Sequence, residues 1–274
     1  MFKFAICNEL WGKRPIEEVF TTAAAMGYDG VEIAAFTLAE SVDEIDADRR
    51  KQIVAAAADA GVDIVGLHWL LAAPPGLHIT TPDDAVRQQT VNYLKTLVDF
   101  CADLGGAMMV FGSPNQRNVE PPNTPDAARA RMIEGLRAVA PVCQSRGVTI
   151  GLEALSPAET NFIMTVTEAA QLADEVDAPG IDIMIDVKAM ASMPDGVIGT
   201  IKQFGARAKH VHANDPSKHG PGMGDDPADF KPILAALAEA GYRGWVSVEP
   251  FIYEPDPDTV ARTAIDTLKA AMPN

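Results

Sequence analysis

Residues 208–251 open with Ala208-Lys-His-Val-His-Ala-Asn-Asp215 and continue into a glycine-rich loop, Gly220-Pro-Gly-Met-Gly224. An amphipathic run, Phe230 to Ala240, follows, and then Gly244-Trp-Val-Ser-Val-Glu-Pro-Phe251. This is the order strand, loop, helix, strand. Side chains alternate faces along a strand, so His210 and His212 share one face and Val211 takes the other. Ser247 and Glu249 likewise share a face opposite Val246 and Val248. An imidazole and a carboxylate therefore stand at the C-terminal ends of two successive strands, on their non-aliphatic faces. Two such ends mark the mouth of a parallel sheet.

Outward from that stretch, the same unit repeats. Strands are expected at Phe2–Cys7, Val31–Ala34, Val62–Leu67, Ala107–Phe111, Val148–Ala154 and Ile181–Val187. Helices are expected at Pro15–Met26, Asp46–Ala60, Pro82–Leu104, Thr124–Arg146, Thr165–Val176, Pro194–Phe204 and Asp258–Ala271. Gly27, Gly61 and Gly147 stop three of these helices, and Pro125 opens one. Strands alternating with helices imply a parallel sheet. Eight such units in 274 residues fit a single (β/α)8 TIM barrel over residues 1–274. A doubly wound open sheet is the runner-up, but no Gly-x-Gly-x-x-Gly follows the first strand.

Composition narrows the function classes. A formal net charge of −16 argues against nucleic acid or an anionic membrane surface as partner, since both need clustered Lys and Arg. The three cysteines, Cys7, Cys101 and Cys143, are an odd number without metal-type spacing and read as buried thiols in a reducing compartment. The N-terminal apolar run is too short for a signal peptide, and no run is long enough to span a membrane, so a cytoplasmic protein is expected.

In a barrel the chemistry sits at the C-terminal strand ends. Strand five, Val148-Thr-Ile-Gly-Leu-Glu153, and strand six, Ile181-Asp-Ile-Met-Ile-Asp186, end in carboxylates of matching parity with His212 and Glu249. Any one of them, alone, reads as a solvated strand-end charge. Four on successive strands are different, because three converging acids repel one another unless a cation sits among them. Mostly oxygen donors with one imidazole suit Mn²⁺, Mg²⁺ or Co²⁺ better than a thiolate-rich zinc site.

Several segments carry a family resemblance: Gly151-Leu-Glu153-Ala, Glu159-Thr-Asn-Phe-Ile163, Ile185-Asp186, His210-Val-His212, Pro221-Gly-Met-Gly224 and Gly241 to Phe251. Agreement is weaker at Gly30-Val-Glu32-Ile and Pro82-Asp-Asp-Ala-Val-Arg87. On these the chain resembles the xylose isomerase-like barrel superfamily of sugar isomerases and epimerases, and within it the D-tagatose/D-psicose 3-epimerase branch. The resemblance implies that Glu153, Asp186, His212 and Glu249 hold one divalent ion, usually Mn²⁺. It implies that Glu153 and Glu249 also move protons on opposite faces of the sugar, and that Glu159 contacts a substrate hydroxyl. Removing a proton beside a ketose carbonyl makes an enediolate, which explains a cation flanked by two carboxylates. The resemblance also implies a small-molecule sugar as partner, and dimers or tetramers as the assembly.

The chain departs from the family at two places. The family's histidine three residues past the strand-six aspartate is Ala189 here, with Lys188 beside it as a substitute polar contact or an ordinary exposed lysine. The family's substrate-binding arginine after strand seven is matched by Lys218, which loses the bidentate fork. His68 and Trp69, after strand three, are candidates for the sugar wall. Glu32 and His210 are candidates for orienting the ligands from behind. Asn8, Glu9 and Trp11 are placed at the mouth; Arg117 is read as a solvated loop residue or an anion contact, and His78 and His219 as exposed. The glycines at 220, 222 and 224 are expected to turn a loop over the pocket.

The leading functional expectation is a metal-dependent ketose 3-epimerase or aldose–ketose isomerase. A lyase starting from the same proton abstraction, dehydrating a keto-inositol or eliminating from a 3-keto-glycoside, is the alternative. An endonuclease IV-like repair enzyme is disfavoured by only five histidines and the acidic charge. A non-catalytic sugar-binding barrel is the remaining option.

Overall fold

The computed structural model describes residues 2–273. Its strands are β1 (Lys3–Cys7), β2 (Gly30–Ala34), β3 (Asp63–His68), β4 (Met108–Phe111), β5 (Thr149–Leu152), β6 (Ile181–Ile183), β7 (Ile185–Asp186), β8 (Val211–Ala213) and β9 (Trp245–Val248). Its helices are α1 (Ile16–Met26), α2 (Ala47–Ala60), α3 (Asp84–Asp103), α4 (Pro125–Arg146), α5 (Val166–Val176), α6 (Val187–Met190), α7 (Gly196–Phe204), α8 (Phe230–Glu239) and α9 (Pro257–Ala270). Neighbouring strands follow the order β6-β5-β4-β3-β2-β1-β9-β8-β7, and every pairing is parallel.

The sixth strand closes the circle. It was expected to run unbroken from Ile181 to Val187, but it divides at Met184. Its first half pairs with β5 and its second half with β8. The Met184 amide donates to the Leu152 carbonyl at 3.2 Å and the Ile185 amide to the His210 carbonyl at 3.1 Å, so the chain changes neighbours there. Val187 then starts a short helix, because the Asp186 side chain caps it by accepting from the Ala189 amide at 2.6 Å. This is a TIM barrel with its helices outside.

Strand alternation builds the two layers. Ile150, Leu152, Ile183 and Ile185 point outward and are fully buried under the helices. Met108, Val110 and Met184 form a separate apolar cluster on the inward side. Gly151 faces the same way. A Cβ there would lie 2.2 Å from Met108 Cε and 3.1 Å from Met184 Cβ, so the glycine makes room for two methionines in the barrel interior. Gly66 permits a closer approach still, since a Cβ there would sit 1.8 Å from the Met108 carbonyl oxygen.

Local signals set the helix ends. Asp46, Asp83, Thr124 and Thr165 cap α2 to α5 through side-chain oxygens, and Thr165 with Glu168 forms a reciprocal capping box. Each such cap contributes about 1 kcal/mol. Leu94, Leu97 and Val98 of α3 are fully buried, each worth about 1.5–3 kcal/mol of apolar burial. No helix among the described residues is long and apolar enough to cross a membrane.

Candidate active site

Parallel register brings the strand ends level. Asp186 is paired with His212, and His212 with Ser247, two residues before Glu249. Glu153 follows the last residue of β5. One ligand atom from each of Glu153, Asp186, His212 and Glu249 falls within 4.8 Å of all the others. All four side chains are buried. Gly112 at the end of β4 lets the Glu153 carboxylate lie close, as a Cβ there would be 2.1 Å from Glu153 Oε2.

Each of these groups is held from behind. Asn214 Nδ2 donates to Asp186 Oδ2 at 2.6 Å, while Asn214 Oδ1 accepts from the Lys188 amide at 2.8 Å. Glu32, at 0 % exposure in the barrel interior, accepts from His210 Nε2 at 2.8 Å and from His212 Nε2 at 3.2 Å. With Nε2 turned to Glu32, His212 presents Nδ1 to Glu249 at 3.0 Å and Glu153 at 3.5 Å. That Nδ1 is buried and makes no hydrogen bond.

The electrostatics follow from this crowding. Burial is the largest influence on Glu249 and Asp186 and raises both pKa values, opposed by His212 for Glu249 and by Lys188 for Asp186. Burial works to lower the His212 value, but Glu249 and Glu32 outweigh it and hold it well above the ordinary imidazole range. Glu32 is desolvated too, yet His210 and His212 keep its carboxyl well below the usual range. Three acids around an imidazole nitrogen without a hydrogen-bond partner make a donor set that fits a hard or borderline divalent cation. Two other triads with ligand-atom proximity, Glu9 with His68 and Glu249 and Glu32 with His210 and His212, include groups already hydrogen-bonded to one another.

A chamber opens onto the set, lined by Glu153, Glu249 and Glu159 together with Trp69, Leu155 and Phe251. Glu159 forms an ion pair with Lys188 and accepts from Ser156 Oγ at 2.7 Å. Lys188 Nζ also lies 4.7 Å from the Phe251 ring centroid. Burial disfavours the Lys188 ammonium, but Asp186 and Glu159 raise its pKa on balance.

Some expectations need correction. Lys188 is not an ordinary exposed lysine, being 6 % exposed. Arg117 is not a solvated loop residue or an anion contact. It is fully buried, with Nη1 donating to the carbonyls of Glu153 at 2.7 Å and Phe111 at 3.2 Å, and burial lowers its pKa to about 10. It braces the loop that carries Glu153. Trp11 turns away from the mouth, its indole donating to Asp258 at the start of α9 at 2.6 Å. The loop of Gly220, Gly222 and Gly224 leans on the outer helix: a Cβ on Gly222 would lie 2.1 Å from Thr267 Oγ1 of α9.

The remaining candidates fall as follows. Lys218 is exposed on the loop after β8, with its backbone at φ +74°. His68 is buried, and its Nε2 donates to Glu9 Oε2 at 2.5 Å. Asn8 ties the β1 end to β2, accepting from the Ala34 amide at 2.7 Å. His78 and His219 are half-buried rather than fully exposed, and Ala189 is buried. Sequence reasoning passed over Asn214 as a site residue; an Asn two residues past His212 places its side chain on the same face, which was the available signal.

A family model described as xylose isomerase-like TIM barrel matches residues 20–271. The chain is 24% identical over 265 residues to fructoselysine 3-epimerase of Shigella flexneri, covering 94% of each. It is 24% identical over 280 residues to 3-dehydro-D-guloside 4-epimerase of Escherichia coli K12, covering 97% of this chain and 99% of the other. Its backbone is similar to a crystal structure of D-psicose 3-epimerase with D-tagatose from Clostridium cellulolyticum H10, with a TM-score of 0.86, 22% identity and complete coverage of both chains.

Proposed function

Given that the chain belongs to the xylose isomerase-like TIM barrel family, we propose that it is a divalent-metal-dependent sugar epimerase acting next to a ketose carbonyl. We propose further that it works as one barrel domain over residues 1–274, on a small sugar or sugar derivative. The single observation that carries this reading is the convergence of Glu153, Asp186, His212 and Glu249 within 4.8 Å at the C-terminal barrel mouth. Full-length relatives that epimerise fructoselysine and a 3-dehydro-guloside support the reaction class.

Glu153, Asp186, His212 and Glu249 would hold the ion, with Mn²⁺ the best match to mixed carboxylate and imidazole donors and Mg²⁺ or Co²⁺ as substitutes. When bound, the cation supplies positive charge against which negative charge on substrate oxygens is stabilised, an effect of several kcal/mol. The protein's own groups do the rest. Glu153 and Glu249 come from strands that are not neighbours and both face the chamber, so one takes the proton from carbon and the other returns a proton to the opposite side. Glu159, fixed by Lys188 and Ser156, accepts from a sugar hydroxyl. Leu155 and the rings of Trp69 and Phe251 keep water from the carbanionic centre.

Incubation with Mn²⁺ and a panel of ketoses in D₂O tests the reading. Deuterium appears on the carbon beside the carbonyl, and the product keeps all its atoms. Loss of water or of an aglycone instead would identify the lyase reading, for which Ala189 in place of a histidine leaves room.

A further inference from the structure

Among the described residues, four clusters of acids, histidines and cysteines bring ligand atoms within 4.8 Å of one another. Two are closed by hydrogen bonds between their own members, Glu9 with His68 in one and Glu32 with His210 and His212 in the other. The third is the set at the barrel mouth. The fourth joins Cys7 at the end of β1, Glu32 within β2 and His68 at the end of β3, and the proposed epimerisation uses neither Cys7 nor His68. All three side chains of this cluster are buried in the barrel interior.

His68 is held for ligation in the manner of His212. Its Nε2 donates to Glu9 Oε2 at 2.5 Å, and a carboxylate behind one ring nitrogen fixes the other as the donor. That other nitrogen, Nδ1, is buried, makes no hydrogen bond and lies 4.0 Å from Glu32 Oε1. A nitrogen so placed favours a proton or a metal ion on it. The third donor is Cys7 Sγ, which has Ser247 Oγ beside it at 3.6 Å. Burial pushes the Cys7 thiol up to about 11, so a thiolate stands there only when a cation binds it. Sulfur, nitrogen and one oxygen make a softer donor set than the three carboxylates and one imidazole at the mouth. Three protein ligands with one position left to water is a coordination that zinc takes.

We propose that Cys7, Glu32 and His68 form a second metal site, in the barrel interior, selective for a thiophilic divalent ion such as Zn²⁺. It shares Glu32 with the set at the mouth, since Glu32 Oε1 also accepts from His212 Nε2 at 3.2 Å. Binding replaces the Cys7 S–H bond by a sulfur–metal bond and releases that proton to solvent. The site stands on its own donors and is independent of the epimerase reading. It is tested by counting the Zn²⁺ ions that the wild-type protein and Cys7→Ser retain per chain after gel filtration. Both proteins are first refolded from urea with Zn²⁺, so that a slow entry route does not decide the result.

The wild type is expected to hold two zinc ions and Cys7→Ser one, while the count of Mn²⁺, a harder ion, does not change with the substitution. Counts of one and none for zinc would remove the set at the mouth, and the epimerase reading with it, but leave the inner site standing. Cd²⁺ in place of Zn²⁺ is expected to give a thiolate-to-metal absorption band that disappears in Cys7→Ser, which retains Cys101 and Cys143. If Cys7→Ser does not refold, wild-type crystals grown with Zn²⁺ carry the test. An anomalous peak is expected about 2.3 Å from Cys7 Sγ and about 2.0–2.1 Å from His68 Nδ1. Equal zinc counts in the two proteins, an equal loss of Mn²⁺, a cadmium band that survives Cys7→Ser, or no peak beside Cys7 would overturn the proposal.

Discussion

Glu32 accepts from Nε2 of His212 at 3.2 Å, and this bond decides which ring nitrogen faces Glu153 and Glu249. A ring held in that tautomer carries a lone pair on Nδ1, directed at two carboxylates. Only a cation or a proton makes that arrangement favourable, and a carboxylate behind a ligand histidine raises its basicity. Glu32→Gln keeps the shape and removes the charge. Its affinity for Mn²⁺, measured by calorimetry, is expected to fall about 10- to 100-fold. Unchanged affinity would mean that Glu32 does not orient the ligand.

Without metal, the same crowding makes stability depend on pH. Glu249 and Glu32 hold His212 above its ordinary 6.5 against the effect of burial. Burial raises Asp186 above 3.8 and Glu249 above 4.5. A raised value in the folded state means that the fold binds the proton more tightly than the unfolded chain does. The resulting stability is present below the unfolded pKa and is lost as pH rises through the folded one. Glu32 is shifted the other way, so its contribution is lost only in acid, below 4.5. The Tm of the metal-free protein is therefore expected to fall from about pH 5.5 to 8, while the Tm gain on adding Mn²⁺ grows over the same range, because the ligands bind deprotonated. A metal-induced gain that shrinks with rising pH would contradict this.

In the proposed reaction the two glutamates divide the proton transfer. Glu153→Gln and Glu249→Gln are each expected to slow deuterium incorporation by about 10²- to 10⁴-fold. Circular dichroism should show both variants folded. A variant that exchanges at the wild-type rate would exclude its glutamate from the acid–base pair.

Lys188 and Glu159 form a pair with side-chain exposures of 5 % and 21 %. Breaking a buried pair leaves one charge stranded, costing about 3–5 kcal/mol when fully buried and less here because Glu159 reaches solvent. Lys188→Met is expected to lose about 2–3 kcal/mol of stability in urea titrations and to raise KM for the sugar. The double variant Lys188→Met/Glu159→Gln should recover most of the stability but not the KM. Recovery of both would show that Glu159 takes no part in binding sugar.

Much of this was legible in the sequence, because strand parity is a property of the chain itself. Once the runs ending in Glu153, Asp186, His212 and Glu249 were read with period two, their common face followed. Helix ends were legible too, through Gly27, Gly61 and Gly147. What escaped depends on distant partners. Ile181-Asp-Ile-Met-Ile reads as one strand, and the break at Met184 comes from pairing with β5 on one side and β8 on the other. Arg117 follows Ser113-Pro-Asn-Gln, a loop by every local sign, and is buried only because the carbonyls of Phe111 and Glu153 converge on it. Lys188 is likewise drawn inward by Glu159, 29 residues earlier.

The central claim is that one divalent ion joins these four strand ends, and anomalous scattering from crystals grown with Mn²⁺ tests it most directly. The account predicts a single strong peak about 2–2.5 Å from oxygens of Glu153, Asp186 and Glu249 and from Nδ1 of His212. No peak among those four side chains, or a peak seated instead between Glu32 and His210, would contradict it.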